Sequence, residues 1–426
     1  MLRRPTLPRA ELVAAFVRAC GCPLRNVNAW LASHHRLARR RGPSRPPHPD
    51  PAAAEPTPPA PPTGRPLPRA VIPSQLPLTP GAFTGREAEL RALDRATTGA
   101  DRVALVVVTG LPGIGKTSFA LRYAHQFADR YGDGHLYLDL RGHAPDPTLT
   151  PIEALERLAR GLGAEAGRTR TTVEEAAARY RSLLADRKVL LLLDNAASAE
   201  QVRPLLPGAA HSLTLVTSRR RLSGLLAGEG AHRIRLGVLP AEDARRLLAR
   251  LLGARRVDAA PEQTAALIDA CAGLPLALRI AATQLADEPW RPLQDYVAEL
   301  REHGLAVLAL DDERHTVSAV FDLSYRQLAP GARRIFRLLG LAPDRDLTMD
   351  ALAALNGTTP TTTRTLVRAL TDAHLLDEHA PGRYHLHDLL RQYARHLAET
   401  EDPTDARAEA LDRLTAWHHR ATTAAA

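Results

Sequence analysis

A glycine-rich stretch has residue types and spacing that suit phosphate binding. Residues 110–117 read GLPGIGKT and fit the pattern G-x-x-x-x-G-K-[ST], after a predicted strand and at the start of a predicted helix. The glycines, which let backbone N–H groups turn toward phosphate oxygens, are Gly110, Gly113 and Gly115. Lys116 is placed to reach the β- and γ-phosphates, and the Thr117 hydroxyl to ligate Mg²⁺. We predict a nucleotide-phosphate site here and include Ser118, the next helical residue.

Lysine is rare in this chain, which makes its place in the loop informative. Of 56 basic residues, only Lys116 and Lys188 are lysine. A compact ammonium group fits inside a phosphate-binding loop, whereas the planar guanidinium of arginine is bulkier and differently hydrated. The lysine at position 116 therefore supports a phosphate-binding role. Lys188 has no comparable context and is interpreted as ordinary surface charge.

Two polar residues at the ends of predicted strands could complete a triphosphate site. Asp194 follows the apolar run 189–193, where an ionised carboxylate is costly unless it faces solvent or a cation. We therefore expect it to be a Mg²⁺ partner that acts through water. Arg219 follows a predicted strand at the sheet edge where ligands bind in α/β folds, and it could reach the γ-phosphate. A solvated arginine in the run 219–221 is the alternative.

Alternating strands and helices must position these residues. Apolar runs of strand length occur at 103–108, 135–140, 189–193, 212–217 and 232–236, and helical patterns occur at 116–130, 151–163 and 173–185. This alternation predicts a parallel sheet with helices on both faces. After about residue 238 the strands give way to amphipathic helices, with one strand-turn-strand near 379–386.

Several motifs resemble, in order, those of the NB-ARC group of STAND P-loop NTPases. The stretch FTGRE that begins at Phe83 resembles the family motif whose backbone lies against adenine. The stretch GLPLAL around Pro275 resembles the motif whose proline contacts base and sugar. The stretch LHD around His387 resembles the MHD motif, with Leu in place of Met, whose histidine touches the β-phosphate of ADP and keeps the closed state shut. Each residue alone has an ordinary explanation: core packing for Phe83, a helix kink for Pro275, and one histidine among 17 for His387.

The resemblance covers roughly residues 79–395 and implies a fold, ligands and partners. It implies an α/β P-loop NTPase domain followed by an all-α helical domain and a winged-helix domain. It implies binding of ADP or ATP with Mg²⁺ and a homo-oligomer in the ATP state. The family includes apoptosome proteins, plant disease-resistance proteins and many actinobacterial regulators of transcription. Because its members usually continue into sensor repeats, we expect either a separate sensor or effector protein or a truncated version.

The resemblance and the composition together predict six segments. These are a basic helical arm at 1–42, a proline-rich linker at 43–78, a P-loop domain at 79–238, a helical domain at 239–312, a winged-helix domain at 313–392 and a C-terminal helix at 393–426. The linker assignment rests on 15 of the 34 prolines, which fall within residues 43–80. The arm resembles the last helices of a helix-turn-helix domain, without an identifiable recognition helix.

One departure from the family pattern concerns catalysis. Asn195 follows Asp194, where many relatives have a second acid that activates water. An amide cannot accept a proton as a general base, so we expect slow hydrolysis or dependence on another group. This favours a nucleotide-controlled switch over the alternative, a turnover ATPase or kinase whose helical half binds a substrate.

Charge and composition limit the other function classes. Residues 1–45 hold ten arginines and one acid, which accounts for the net charge of +9. DNA binding is therefore expected only through that arm, as a non-specific and salt-sensitive attraction, and a solvated arm is the alternative. No apolar run approaches the ~18–20 residues that span a bilayer. Three cysteines and no secretion signal favour the cytoplasm.

Overall fold

The computed structural model describes residues 72–79, 81–98, 104–144, 146–164, 172–208, 211–309 and 316–425. All of them belong to the unit 68–426 into which contacts divide the chain, the other unit being 1–67. The predicted basic arm and its DNA binding lie outside the described residues, as does most of the predicted linker. Within the described part, no helix is long and apolar enough to cross a membrane.

A five-stranded sheet forms the first half of the described chain. Its strands are β1 (Ala104–Gly110), β2 (His135–Asp139), β3 (Leu190–Ala196), β4 (Leu213–Ser218) and β5 (His232–Leu236). They are all parallel, in the order β2-β3-β4-β1-β5. The five predicted strands and the parallel sheet are thus confirmed. The β3 strand ends at Ala196 and not at the predicted residue 193. Asp194 therefore lies within the strand, where it pairs with Asp139 of β2.

Helices connect the strands and cover the sheet. They are α1 (Glu87–Thr97), α2 (Lys116–Gln126), α3 (Pro151–Gly161), α4 (Val173–Leu184), α5 (Ala199–Val202) and α6 (Ser223–Glu229). Capping boxes begin two of them: the side chains of Thr150 and Thr172 accept from the N–H groups of Glu153 and Glu175. The α2 helix ends before the predicted residue 130, and the chain continues as a 3-10 turn at Ala128–Arg130.

The sheet is apolar on both faces. Successive residues of β1 alternate between two cores, so that Val106 belongs to one and Val107 to the other. Helix α2 packs into the first core through Phe119, while α3 and α4 pack into the second through Leu158 and Tyr180. Burial on both faces explains why the strands are continuous apolar runs instead of alternating ones.

Helices dominate the rest of the described chain. They are α7 (Ala241–Leu252), α8 (Ala254–Asp258), α9 (Pro261–Ala270), α10 (Pro275–Asp287), α11 (Leu293–His303), α12 (Val317–Tyr325), α13 (Pro330–Leu341), α14 (Met349–Asn356), α15 (Pro360–Asp372), α16 (Asp388–Glu401) and α17 (Thr404–Ala425). A helical region after the nucleotide-binding fold is therefore confirmed. Its buried side chains join the first core of the sheet, including Leu278, Phe336 and Tyr393.

A small antiparallel sheet lies within this helical region. It consists of β6 (Leu347–Thr348), β8 (Arg383–His385) and β7 (Asp377–Ala380), in that order. The β7–β8 pair occupies the predicted strand-turn-strand. The two-residue β6 was not predicted, because two residues are too few to show a strand pattern. The winged-helix assignment of this region stays a prediction.

The described end of the predicted linker pairs with the sheet. Ser74 forms a parallel bridge with His135 at the start of β2. The His135 N–H donates to the Pro73 carbonyl at 2.7 Å, and the Gln75 N–H donates to the His135 carbonyl at 3.0 Å. Residues 73–75 therefore add to the edge of the sheet beside β2. They belong to the predicted linker, so contact with the sheet begins before the domain boundary predicted at residue 78.

Candidate nucleotide-binding site

The phosphate loop links β1 to α2 in a left-handed backbone conformation at its glycines. Gly113 and Gly115 have φ of 78° and 90°, which favours glycine. A Cβ at Gly113 would also lie 3.1 Å from the Cβ of Leu276, so the absent side chain lets α10 approach the loop. The Leu276 N–H donates to the Gly113 carbonyl at 3.2 Å. The helical region thus touches the phosphate loop directly.

Lys116 lies at the N-terminus of α2 with its ammonium group turned onto the loop. Its Nζ donates to the carbonyls of Gly110 at 2.9 Å and Leu111 at 3.0 Å. Burial, followed by the positive charge of Arg219, lowers the pKa of Lys116 to about 7, and Asp194 opposes the shift. Within the described residues, neutral carbonyls alone hold this ammonium group, and such a buried group is suited to receive an anion.

Asp194 is buried and surrounded by hydroxyl groups. The Thr117 hydroxyl lies 2.9 and 3.1 Å from its two carboxylate oxygens, and the Tyr137 hydroxyl donates at 3.2 Å. The Thr217 hydroxyl donates to the same carboxylate. Burial raises the pKa of Asp194, and the hydrogen bonds from Thr217 and Thr117 oppose that rise. Thr117 and Asp194 are therefore brought together, and Tyr137 is a partner that the sequence reasoning missed.

The donor set at this point suits a hard cation. Magnesium prefers oxygen ligands and keeps several waters, so it needs few protein groups besides substrate phosphates. The Thr117 hydroxyl would hold it directly and the Asp194 carboxylate through water. In the described residues, no group of three His, Cys, Asp or Glu side chains could hold a metal ion by itself, so the phosphates and water would have to supply the other ligands. The residues present therefore fit Mg²⁺ that arrives with a nucleotide.

A cavity of about 380 Å³ joins these groups to other predicted site residues. Its lining includes Gly113, Gly115, Lys116, Thr117, Ser118, Asp194 and Arg219 together with Phe83 and Pro275. A mainly preformed concave site with a few convergent polar groups is typical of ligand binding. Two predicted residues, Gly110 and His387, are not part of the lining. Gly110 ends β1, and its carbonyl accepts from Lys116.

Phe83 and Pro275 reach the cavity from outside the sheet. Phe83 is half-buried, and its carbonyl accepts from Nη1 of Arg250 at 2.8 Å. Pro275 is the first residue of α10. One helical turn later, Nη2 of Arg279 donates to the Gly81 carbonyl at 2.5 Å, and this arginine also lines the cavity. Arg279 had no motif signal, because a single arginine in an arginine-rich chain is uninformative.

Arg219 contacts the helical region. Its Nη1 donates to the Val320 carbonyl at 2.7 Å and to the Ser324 hydroxyl at 3.2 Å, both on α12. Burial lowers the pKa of Arg219 to about 10, with Asp194 opposing. The side chain therefore faces the cavity region and α12 instead of being a freely solvated arginine. Its partners on α12 lie too far along the chain for a motif to indicate them.

His387 lies in a neighbouring cavity of about 240 Å³. Its Nε2 donates to the Ala272 carbonyl at 3.1 Å, and its buried Nδ1 has no hydrogen-bond partner among the described residues. Burial lowers the pKa of His387. Ile114 of the phosphate loop lines both cavities. In this arrangement His387 contacts the segment before Pro275, and the phosphate contact implied by the resemblance stays a prediction.

Asn195 lies at the cavity in a left-handed conformation, with φ of 56°. Its N–H donates to the Thr217 hydroxyl at 2.9 Å, and its carbonyl accepts from the Gly142 N–H at 2.7 Å. The adjacent His143 is buried, which together with the charges of Arg219 and Lys116 lowers its pKa to about 3. An uncharged imidazole beside Asn195 is a feature that sequence reasoning missed.

A phosphate loop directly after β1 of a parallel sheet, with a carboxylate on β3 on the other side of β4, defines a P-loop nucleotide-binding fold. The AAA domain family matches residues 101–229. A Walker-type ATPase of Pyrococcus abyssi has a similar fold, with a TM-score of 0.50, 14% identity, and coverage of 74% of this chain and 96% of that chain.

Sequence comparison identifies the family. The regulatory protein AfsR of Streptomyces griseus is 42% identical over 345 residues, which are 80% of this chain and 35% of AfsR. The probable disease resistance protein RF9 of Arabidopsis thaliana is 24% identical over 280 residues, 62% of this chain and 26% of that protein. The chain belongs to the NB-ARC group of STAND P-loop NTPases. It spans about a third of the length of the AfsR protein it matches.

Proposed function

We propose that this protein is a nucleotide-controlled switch that binds ADP and ATP with Mg²⁺ and regulates transcription. One observation carries the proposal: the cavity is lined by the phosphate loop and by Pro275 of the helical region, and its Arg219 is bound to α12. A nucleotide in this cavity would contact or displace parts of the P-loop domain, of the helical segment that begins at Pro275, and of the region that contains α12. The similarity to AfsR, which is named as a regulatory protein, supports a role in regulation.

Each predicted site residue has a role in this proposal. The loop glycines, Ser118 and Lys116 bind phosphates, and Thr117 with Asp194 holds Mg²⁺. Phe83 and Pro275 face the base and sugar, as the resemblance implies. Arg219 meets the γ-phosphate when the nucleotide is ATP. His387 stabilises the closed arrangement by donating to the Ala272 carbonyl, and the resemblance implies that it also meets the β-phosphate of ADP.

A switch has two conformations, and it requires only that ADP and ATP differ in which conformation they bind more tightly. ADP and ATP differ by one phosphate group, and Arg219 is a cation whose contacts to α12 exist only when that helix is docked. Slow hydrolysis fits Asn195, whose amide cannot act as a general base. We further propose that residues 313–392 act as a winged-helix domain that stays intramolecular, and that the ATP form assembles into a homo-oligomer and meets a separate sensor or effector.

The nucleotide that co-purifies with the chain tests this proposal. We expect bound ADP, exchange for ATP in the presence of Mg²⁺, and turnover far below ordinary enzyme rates of ~1–10³ s⁻¹. Quantifying the extracted nucleotide and the phosphate released per chain measures all three. Rapid multiple turnover without a partner would instead identify a turnover ATPase.

A further inference from the structure

Arg219 is shared between the nucleotide cavity and α12. It lines the cavity with Lys116 and Asp194. Both hydrogen bonds to α12 come from one nitrogen, Nη1, and their acceptors are a backbone carbonyl and the hydroxyl of Ser324. Ser324 is only 3% exposed, so its hydroxyl has little access to water as an alternative partner. The position of this guanidinium therefore depends on α12.

Both cations at the phosphate end are held by neutral oxygens. Lys116 is bound to two carbonyls, and Arg219 to a carbonyl and a hydroxyl. Within the described residues, Nε and Nη2 of Arg219 make no hydrogen bond. A phosphate oxygen carries negative charge, so its bond to the guanidinium adds an attraction between two charges that a neutral carbonyl or hydroxyl lacks. A phosphate oxygen that reaches this end of the cavity would thus be a better acceptor for the guanidinium than either group of α12.

A second contact holds the segment directly after α12, which ends at Tyr325, at the same edge of the cavity. Nε2 of Gln327 donates to the Gly142 carbonyl at 2.9 Å. Gly142 in turn is fixed against Asn195, because a Cβ at Gly142 would lie 2.4 Å from the Asn195 carbonyl oxygen. The helix is therefore docked where a terminal phosphate would lie if it followed the phosphate loop toward Asp194.

We infer that Ser324 determines the preference between nucleoside diphosphate and triphosphate, because it competes with the terminal phosphate for Arg219. The inference rests on the proposed function, in which both nucleotides bind this cavity. ADP has no γ-phosphate and leaves Arg219 on α12. ATP must draw the guanidinium away from Ser324 and Val320, which weakens the docking of α12. Ser324 acts through Arg219 and is a positioning residue.

Affinities of ADP and of β,γ-imido-ATP, each with Mg²⁺, test the inference in the full chain. In Ser324→Ala, binding of the ATP analogue should tighten by about three- to tenfold while ADP binding is unchanged, because one hydrogen bond to a charged group no longer competes. In Arg219→Ala, the further change Ser324→Ala should have no effect on the ratio of the two affinities. This double-mutant cycle isolates the pair from any general structural effect.

Two matched variants serve as controls. Ser318→Ala removes a hydroxyl from the same helix and should leave the affinity ratio unchanged. Ser324→Thr keeps the hydroxyl and should retain the wild-type ratio. The inference is overturned if Ser324→Ala leaves the ratio unchanged, changes both affinities equally, or weakens binding of the ATP analogue. The last result would mean that Ser324 holds Arg219 toward the phosphate.

Hydrogen exchange of the wild-type chain gives a test that needs no folded Ser324 variant. Amides of α12 should exchange faster with β,γ-imido-ATP than with ADP, and this difference should vanish in Arg219→Ala. Equal exchange with both nucleotides in the wild type would overturn the inference. The proposed function fails separately, if Lys116→Ala binds both nucleotides as the wild type does.

Discussion

The two sides of the nucleotide cavity are built by different kinds of contact. On the loop side, Lys116 is bound to carbonyls five and six residues earlier in the chain. In the second set of contacts, which we call the responding side, Arg219 is bound to a residue 101 positions away. His387 of the neighbouring cavity is likewise bound to a residue 115 positions away. Contacts of the first kind form whenever the loop folds, whereas those of the second kind exist only while the helical region is docked. The loop side is therefore suited to holding a nucleotide, and the other side to responding to which nucleotide is held.

The largest expected effect comes from removing the ammonium group of the loop side. Lys116→Ala should weaken ADP and ATP binding by at least ~100-fold, because charge-assisted hydrogen bonds to phosphate are lost from a buried site. Titration with fluorescent nucleotide measures both affinities. Lys188→Ala removes the chain's other lysine, which is exposed, and should bind as the wild type. Similar affinities for Lys116→Ala and Lys188→Ala would refute the site.

A smaller effect is expected where the loop side meets β3. Asp194→Ala should weaken Mg²⁺-dependent ATP binding by about tenfold and ADP binding by less, because the carboxylate would help to hold Mg²⁺ that arrives with the triphosphate. Isothermal titration with and without EDTA measures this, and the chelator should remove the difference between variant and wild type. Equal losses for ADP and ATP would count against the metal role. The variant also leaves three hydroxyl donors without their shared acceptor, so its fold should be checked by thermal unfolding.

The loop side was largely predictable from sequence, because its determinants are local. Continuous apolar strands alternating with helices indicate a doubly covered parallel sheet, and the spacing of the glycines and Lys116 indicates the loop between β1 and α2. For Asp194, the cost of an unpaired buried carboxylate predicted that it needs partners. The identity of those partners was not predictable, since Thr117, Tyr137 and Thr217 come from three different elements.

The responding side was not predictable in the same way. The contact of Arg219 with Ser324 depends on how α12 docks, and no spacing in the sequence encodes that arrangement. The LHD motif indicated that His387 matters for the closed form, and the structure places its ring on the Ala272 carbonyl instead of in the nucleotide cavity. Sequence motifs here identify which residues take part, while the fold decides which partner each one has in a given state.

The smallest effect is expected from breaking the second long-range contact. His387→Ala should speed ADP release by about three- to tenfold, because a hydrogen bond to the Ala272 carbonyl no longer holds the C-terminal region against the segment before Pro275. Release of a fluorescent ADP analogue, chased with unlabelled ADP, measures the rate. His379→Ala removes an imidazole that is 41% exposed on β7 and should release ADP as the wild type does. If His387→Ala also leaves the rate unchanged, then the long-range contact does not restrain the nucleotide, and Arg219 alone distinguishes the responding side of the cavity from the loop side.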